Sequence, residues 1–230
     1  MMLGARTAAW ANIGGGVSTA HDYVQDGLIA MWDGIENAGW GVHDSGARTW
    51  KDLIGVHNFV LPAGISFGED CALFTKSVGK EQSWGFYDNE IMTIEVCGKH
   101  TSTSVGFAIQ FTYGVSCKRM FAYLSTNNRG FQFMSNGKTM NRPAFGIRWS
   151  VAATFSTNNI QTETFYNGQS STMNTGTTGW GARSACIGYY NKDTYAFVGE
   201  ICSVRLYSRA ITSAEVAANY AIDKARFNLP

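Results

Sequence analysis

The residues best suited to chemistry in this sequence are aromatic rings that stand among glycine and polar residues. Sugars stack on the faces of such rings and form hydrogen bonds with neighbouring amide and carboxylate side chains. The candidate ligand-binding residues are Trp40, Trp84, Tyr87, Trp180, Tyr189, Tyr190, Asn191 and Asp193. The alternative for each ring is a place in the core or in an interface. Trp149 differs from these residues because it belongs to a strand-like apolar run.

The sequence shows no pair of acidic residues placed for glycoside hydrolysis. Most such enzymes hold one carboxyl group on each side of the scissile bond. Glu90 and Glu95 are five residues apart, so they point to opposite faces of a strand, and Glu163 and Glu200 stand alone. The four histidines show no metal-ligand spacing, and no G-x-S-x-G segment is present. We therefore expect that the chain is not an enzyme.

The composition of the 230-residue chain argues against nucleic acid and membrane as partners. Eighteen Lys and Arg against 17 Asp and Glu give a net charge of +1, which supplies no broad field for nucleic acid. Only 15% of the residues are charged, against about 25% in an average domain. No apolar run reaches the ~20 residues of a membrane helix, so we expect no membrane insertion. A neutral, hydrogen-bonding surface of this kind suits sugars or packed assemblies.

The five cysteines do not suggest a disulfide framework. Their number is odd and none are spaced C-x-x-C. We therefore expect all of them to act as small buried apolar residues. They are Cys71, Cys97, Cys117, Cys186 and Cys202.

Period-two alternation predicts that most of the chain after Tyr23 is β-structure. We expect Trp149, Val151, Ala153 and Phe155 to share one strand face. We expect Phe107, Ile109, Phe111 and Tyr113 to share a face opposite Ala108, Gln110 and Thr112. The alternation also groups Cys202 with Val204 and Leu206, opposite Ile201, Ser203, Arg205 and Tyr207. The pairs Asn136-Gly137 and Asn167-Gly168 suit tight hairpins.

The two ends of the chain depart from the β pattern. Residues 213–226 form the one convincing helix, because Thr212 to Glu215 reads T-S-A-E, a capping box. Val216 and Tyr220 would face the sandwich. Residues 1–22 are predicted to be an arm that ends in a Gly14–Gly16 hinge and attaches the chain to a partner, with a frayed tail as the alternative. The domain itself is then expected to span residues 23–230.

Three segments together resemble the laminin-G-like, concanavalin A-like lectin/glucanase jelly-roll family. The first spans residues 26–55, DGLIAMWDGIENAG to WKDLIG, where Asp52, Leu53 and Gly55 fit a D-L-S-G-N-type loop. The second is the hairpin of residues 149–169, ending in YNGQ. The third and most specific spans residues 187–216. It places nine family positions in register: Phe197, Gly199, Ile201, Val204, Arg205, Tyr207, Arg209, Ala210 and Glu215. The first segment also resembles sequences from gut bacteria and their phages.

This resemblance implies an all-β fold, a two-sheet antiparallel β-sandwich (jelly roll) with a short C-terminal α-helix. Glucanases of the family carry E-x-D-x-x-E on one strand, and this chain has no such segment. Many relatives bind calcium at the sandwich rim, which makes Asp33 and Asp44 the candidate calcium ligands. The alternative is that these are solvated turn-forming acids.

Two functions remain open at this point. The first is a non-catalytic, lectin-like recognition or adhesion module that binds glycan on a phage particle or bacterial surface. The second is a purely structural capsid or tail protein without a small ligand. No secretory signal is readable at the start of the sequence. We expect a location on a virion or cell surface, and a homo-oligomer or particle attachment through residues 1–22.

Overall fold

The computed structural model describes residues 18–55, 57–75, 82–83, 91–102, 106–113, 116–124, 130–133, 146–155, 161–174, 184–188 and 196–230. A 3₁₀-helix, Ala20–Asp22, precedes the first strand, and a single α-helix, α1 (Ser213–Phe227), follows the last one in this part of the chain. The strands are β1 (Leu28–Asp33), β2 (Thr49–Trp50), β3 (Phe59–Val60), β4 (Ile65–Phe67), β5 (Ala72–Phe74), β6 (Gln82–Ser83), β7 (Thr93–His100), β8 (Gly106–Tyr113), β9 (Ser116–Leu124), β10 (Gly130–Phe133), β11 (Trp149–Phe155), β12 (Gln161–Tyr166), β13 (Gln169–Asn174), β14 (Ser184–Ile187) and β15 (Gly199–Tyr207).

The strands form two main antiparallel sheets. The larger has eight strands in the order β13-β12-β11-β7-β15-β5-β4, with β1 also paired to β15. The smaller has five strands in the order β10-β9-β8-β14-β6, and β2 pairs with β3. Residues of both sheets meet in one buried apolar cluster, which includes Trp32, Ile94, Ile109 and Ile187. This arrangement confirms the predicted β-sandwich with a C-terminal helix.

Strand β11 follows the alternation that the sequence predicted. Trp149, Val151, Ala153 and Phe155 all lie in the core between the sheets. Ala152 points the other way, into a second apolar cluster on the outer face of the sheet. The regular period holds because β11 pairs with both neighbours, β7 and β12, without a register shift.

Two bulges break the predicted alternation elsewhere. The β15–β7 register shifts between Ile201 and Ser203, so Ile201 joins Val204 in the core while Cys202 lies on the outer face. The grouping of Cys202 with Val204 was therefore wrong. A second shift, between Phe107 and Ile109 in β8, places Ala108 in the same core cluster as Ile109 rather than opposite it. Each bulge adds one residue to a strand and so reverses the facing of those beyond it.

Helix α1 covers the outer face of the larger sheet, as predicted. Its N-terminus has the full capping box: the Glu215 amide donates to Thr212 Oγ1 and the Glu215 carboxylate accepts from the Thr212 amide. Val216 is buried against the sheet and Tyr220 is half-buried. Because the helix lies on this face, strands such as β7 and β15 are buried on both sides. Period-two alternation, by contrast, is typical of strands with only one buried face.

The hairpin between β12 and β13 has the predicted two-residue turn. Asn167 and Gly168 both have positive φ, 46° and 74°, as a type I′ turn requires. A side chain at Gly168 would also meet the ring of Tyr220, since an added Cβ would lie 2.8 Å from its Cδ1. The turn therefore packs directly under α1. The Asn136-Gly137 pair lies outside the described residues.

A disulfide joins two cysteines that were expected to be free. Cys71, just before β5, is bonded to Cys202 in the β15 bulge, 131 residues away. The sequence pattern missed this pair because only the bulge turns Cys202 toward the outer face. Cys97 and Cys186 take no part in a disulfide and are buried, as predicted. The side chain of Cys117 lies outside the described part.

The predicted boundary between arm and domain, at residues 22 and 23, does not fit the contacts of residues 18–22. Ala20 is fully buried, and the Ser18 carbonyl accepts a hydrogen bond of 2.8 Å from Arg226 of α1. These residues are part of the folded body. Residues 1–17 lie outside the described residues, so the arm itself stays a prediction. Among the described residues, no helix combines the length and apolar character needed to cross a membrane.

Candidate functional site

Trp40 is the one predicted ligand-binding residue that lies in the described part of the chain. It occupies a tight turn after β1, where the Val42 amide donates to the Gly39 carbonyl at 2.9 Å. Gly39 and Gly41, on either side, have φ of 136° and 69°, and a Cβ added to either would meet no atom within 4 Å. Val42 is 51% exposed. Trp40 is thus half-buried on a surface turn, between two glycines that border open space.

A buried glutamate holds this turn in place. Glu36 Oε2 accepts a 2.8 Å hydrogen bond from the Gly41 amide, and Glu36 Oε1 accepts one of 2.9 Å from the Ala20 amide. Arg226 of α1 lies 3.3 Å from the same Oε1. One carboxylate thus fixes the backbone beside Trp40 and the backbone beside His21. Its burial makes these bonds hard to replace by water.

The His21 ring stacks on Trp40. The ring centroids are 3.7 Å apart and the planes meet at 9°, which is a near-parallel face contact. His21 is exposed, whereas Trp40 also packs against the apolar cluster under α1. Trp40 is therefore held partly by the protein body, and one face of its indole is covered by a single exposed imidazole.

The loop that follows Trp40 is braced by side chains from its own base. Asn37 is buried and bonds the Asp44 backbone twice, donating to the carbonyl at 2.7 Å and accepting from the amide at 2.8 Å. His43 Nδ1 lies 3.1 Å from the Gly34 carbonyl oxygen. This bracing keeps the turn in one conformation before any ligand arrives, which lowers the entropic cost of binding.

The predicted calcium ligands are not brought together as a site. Asp33 is buried; its Oδ2 is 2.9 Å from Arg226, and its Oδ1 accepts from the amides of Ile35 and Glu36. Burial raises the pKa of Asp33, and Arg226 opposes that change. Asp33 does not fit a calcium site, because a guanidinium already occupies the position of the cation. Asp44 is exposed, and its Oδ1 accepts from the Gly46 amide, as in a turn-forming acid.

The remaining predicted ligand-binding residues lie outside the described residues and stay predictions. They are Trp84, Tyr87, Trp180, Tyr189, Tyr190, Asn191 and Asp193. His21 and Glu36, by contrast, belong to the observed site and were not predicted. No local spacing connects His21 with Trp40, because a buried carboxylate in a third segment brings them together.

A buried ion cluster lies between α1 and the larger sheet. Arg205 bonds to Glu95 at 2.7 Å and to Asp223 at 2.8 Å, and all three side chains are almost fully buried. The Tyr23 ring lies 4.0 Å from the Arg205 guanidinium carbon. Burial raises the pKa of Glu95, while Arg205 lowers it. None of these groups can reach a ligand from solvent, so the cluster attaches the helix rather than forming an active site.

One further group of potential metal ligands occurs among the described residues. Cys71, Glu200 and Cys202 place one donor atom each within 4.8 Å of one another. The two sulfur atoms are bonded to each other, and Glu200 pairs with Lys99 and Arg148. The donors are therefore already engaged, and this group does not form a metal centre.

Comparison with known proteins identifies the fold. Residues 87–217, more than half of the chain, match a family model described as the concanavalin A-like lectin/glucanases superfamily. No curated protein sequence gives a significant match.

Two solved structures illustrate the likeness. Trypanosoma rangeli sialidase in complex with sialic acid superposes with a TM-score of 0.64 at 14% identity, covering 86% of this chain. This chain spans only 33% of the sialidase chain. Domain 4 of AbnA, a GH43 extracellular arabinanase from Geobacillus stearothermophilus in complex with arabinotriose, gives 0.60 at 16% identity, covering 84% of this chain and 98% of that domain. At such identities the likeness establishes the fold.

These structures contradict the prediction that the chain is not an enzyme, because they come from a sialidase and an arabinanase. That prediction depended on the missing carboxylate pair. Sialidases use a tyrosine nucleophile, so a missing pair does not exclude glycosidase chemistry. The fold serves both binding and catalysis, and it does not by itself decide between them.

Proposed function

We propose that this chain, which belongs to the concanavalin A-like lectin/glucanases superfamily, is a carbohydrate-binding module. The observation that carries the proposal is the Trp40 turn, a half-buried indole on a braced loop between two glycines that border open space. The indole face under the exposed His21 ring is flat and apolar and lies beside backbone hydrogen-bonding groups, which is what a sugar requires. The low charge of the chain agrees with a neutral polar ligand.

The binding surface is proposed to extend beyond Trp40. We expect it to include the other aromatic and polar residues that the sequence singles out: Trp84, Tyr87, Trp180, Tyr189, Tyr190, Asn191 and Asp193. Several stacking contacts together would supply enough contact area to hold an oligosaccharide. Calcium is proposed only as an additional requirement for sugar binding. Asp44 is the remaining candidate ligand, because Asp33 is paired with Arg226.

We further propose that the module works outside the cytoplasm, displayed on a cell surface or a virion. The disulfide between Cys71 and Cys202 supports this location, because disulfides persist mainly in oxidising compartments. Residues 1–17 are the proposed attachment segment to a neighbouring copy or a particle. Display of this kind would place the sugar-binding surface where host or matrix glycans are found.

A glycan array with the purified, oxidised chain tests the proposal. The array is probed with calcium and again with EDTA, and the chain is expected to bind a restricted set of oligosaccharides. Trp180→Ala and Trp84→Ala should weaken that binding, whereas Lys224→Ala, on the exposed side of α1, should not. Absence of binding to the array and to soluble polysaccharides in affinity electrophoresis would contradict it and favour the purely structural role.

A further inference from the structure

We propose that the face of Trp40 covered by His21 is a stacking platform for a neutral hexopyranose ring, and that His21 rotates away when the sugar binds. This inference rests on the proposed carbohydrate-binding function and specifies one of its contacts. The His21 ring would act as an internal competitor for the site. Four observations lead to it.

The first observation is the geometry of the stack. A near-parallel ring with its centroid 3.7 Å from that of Trp40 occupies the volume that a sugar ring would take on the same face. The indole also packs against the apolar cluster of the protein body. The face under His21 is covered by one exposed side chain, so a side-chain rotation is enough to open it to a ligand.

The second observation is that His21 is easily displaced. It is exposed, and its imidazole forms no hydrogen bond with another described residue. The backbone beside it is anchored by the bond from the Ala20 amide to Glu36. Rotation about the His21 side-chain bonds is thus sufficient to uncover Trp40, and the fold need not move.

The third observation is that Trp40 stays in place when His21 leaves. The Gly41 amide is bonded to Glu36, and the Ala38 amide to the Val42 carbonyl at 3.1 Å. Glu36 is in turn paired with Arg226 of α1. Glu36 is therefore a positioning residue. It holds the backbone beside Trp40 and the backbone beside His21, and neither bond depends on the contact between the two rings.

The fourth observation concerns room and ligand class. A Cβ added at Gly39 or Gly41 would meet no atom within 4 Å, so the backbone on either side of Trp40 borders open space. Arg226, the arginine that pairs with Glu36, is buried and is also paired with Asp33. Stacking of C–H groups, and not ion pairing, would provide the affinity, which favours a neutral pyranose over an acidic sugar.

The test compares His21→Ala, Trp40→Ala and Trp40→Phe with the unaltered chain, with Lys224→Ala as the surface control. Each protein is applied to the same array of neutral oligosaccharides and sialyllactose. His21→Ala should bind neutral ligands about three- to tenfold more tightly, because the competing ring is gone. Trp40→Ala should lose this binding and Trp40→Phe should keep part of it. Thermal melting identifies any variant that fails to fold.

A second measurement does not depend on a glycan. Acrylamide should quench tryptophan fluorescence more strongly in His21→Ala than in the unaltered chain, and Trp40→Phe in the His21→Ala background should remove the difference. Unchanged quenching, or glycan binding by the unaltered chain that His21→Ala leaves equal or weaker, would overturn the inference while leaving the proposed function intact. If neither the unaltered chain nor His21→Ala binds any glycan, the proposed function and this inference both fail.

Discussion

The indole Nε1 of Trp149 donates a hydrogen bond of 3.3 Å to Nδ1 of His100 in the sandwich interior. Nδ1 can accept only while it carries no proton, so the bond requires a neutral imidazole. Burial acts in the same direction and lowers the pKa of His100 from 6.5 to about 4. The stability from this neutral imidazole is complete above pH 6.5 and is lost as the pH falls toward 4.

We therefore predict that acid destabilises the domain through His100. The shift corresponds to at most about 3 kcal/mol in the free energy of unfolding between pH 7.5 and pH 4. Urea unfolding at several pH values measures it. His100→Gln cannot be protonated at this position, so its free energy of unfolding should fall less between pH 7.5 and pH 4. Other titrating groups affect both proteins equally, so the difference between the two pH profiles reports on His100. Parallel pH profiles for the two proteins would disprove the assignment.

Reduction of the Cys71–Cys202 disulfide is predicted to lower the melting temperature. The bond closes a loop of about 131 residues, and constraints of this kind typically contribute about 2–5 kcal/mol. The double variant Cys71→Ala/Cys202→Ala should melt at the reduced temperature and should not respond to dithiothreitol. Cys186→Ala, which changes a buried cysteine outside this disulfide, should keep the full response to the reductant. An identical melting temperature with and without reductant would show that the bond does not form.

Arg205→Met is predicted to destabilise the domain severely. It leaves Glu95 and Asp223 buried without their counter-charge, and breaking a buried pair in this way costs about 3–5 kcal/mol. Adding Glu95→Gln and Asp223→Asn should recover part of the loss, since the carboxylates are then neutral. The partly exposed pair of Arg209 and Glu215 is the comparison, and Arg209→Met should cost about 1 kcal/mol or less. Equal effects of the two arginine changes would contradict this account.

Deletion of residues 1–17 is predicted to leave the melting temperature unchanged and to abolish oligomers or particle association. Deletion of residues 1–23 is the sharper comparison, because it removes buried Ala20 and Tyr23, whose hydroxyl donates to Asp223 at 2.8 Å. The longer deletion should therefore lower stability. Light scattering and thermal melting measure both effects. If the shorter deletion unfolds the protein, or leaves its assembly intact, residues 1–17 are not an attachment arm.

The local sequence pattern correctly predicted the facing of side chains in β11 and the start of α1. It did not predict features that depend on how distant segments pair. The facing of Val151 and Ala153 follows from period two alone, and the helix start at Ser213 follows from its capping box. The orientation of Cys202 could not be predicted, because it depends on how β15 pairs with β7. The burial of Arg205 depends on a helix that begins eight residues later in sequence but lies across the sheet.

The candidate site shows the same division. Trp40 was found from its polar, glycine-rich context, which reflects a local property of the turn. Its partner His21 and the supporting Glu36 come from separate segments whose contacts form only in the folded chain. Asp33 had the right residue type for a cation ligand, and its neighbour proved to be the side chain of Arg226, which is distant in sequence.

Both ends of the folded body are fastened to the same helix. Arg226 holds the Ser18 carbonyl at 2.8 Å, and the Tyr220 hydroxyl donates to the Pro230 carbonyl at 2.9 Å. A polypeptide fused before Ser18 and another fused after Pro230 would therefore both emerge beside α1. Such geometry suits grafting into a surface loop of a host protein, where the two junctions must lie close together. The sandwich would then project as a side branch from its host instead of extending it end to end.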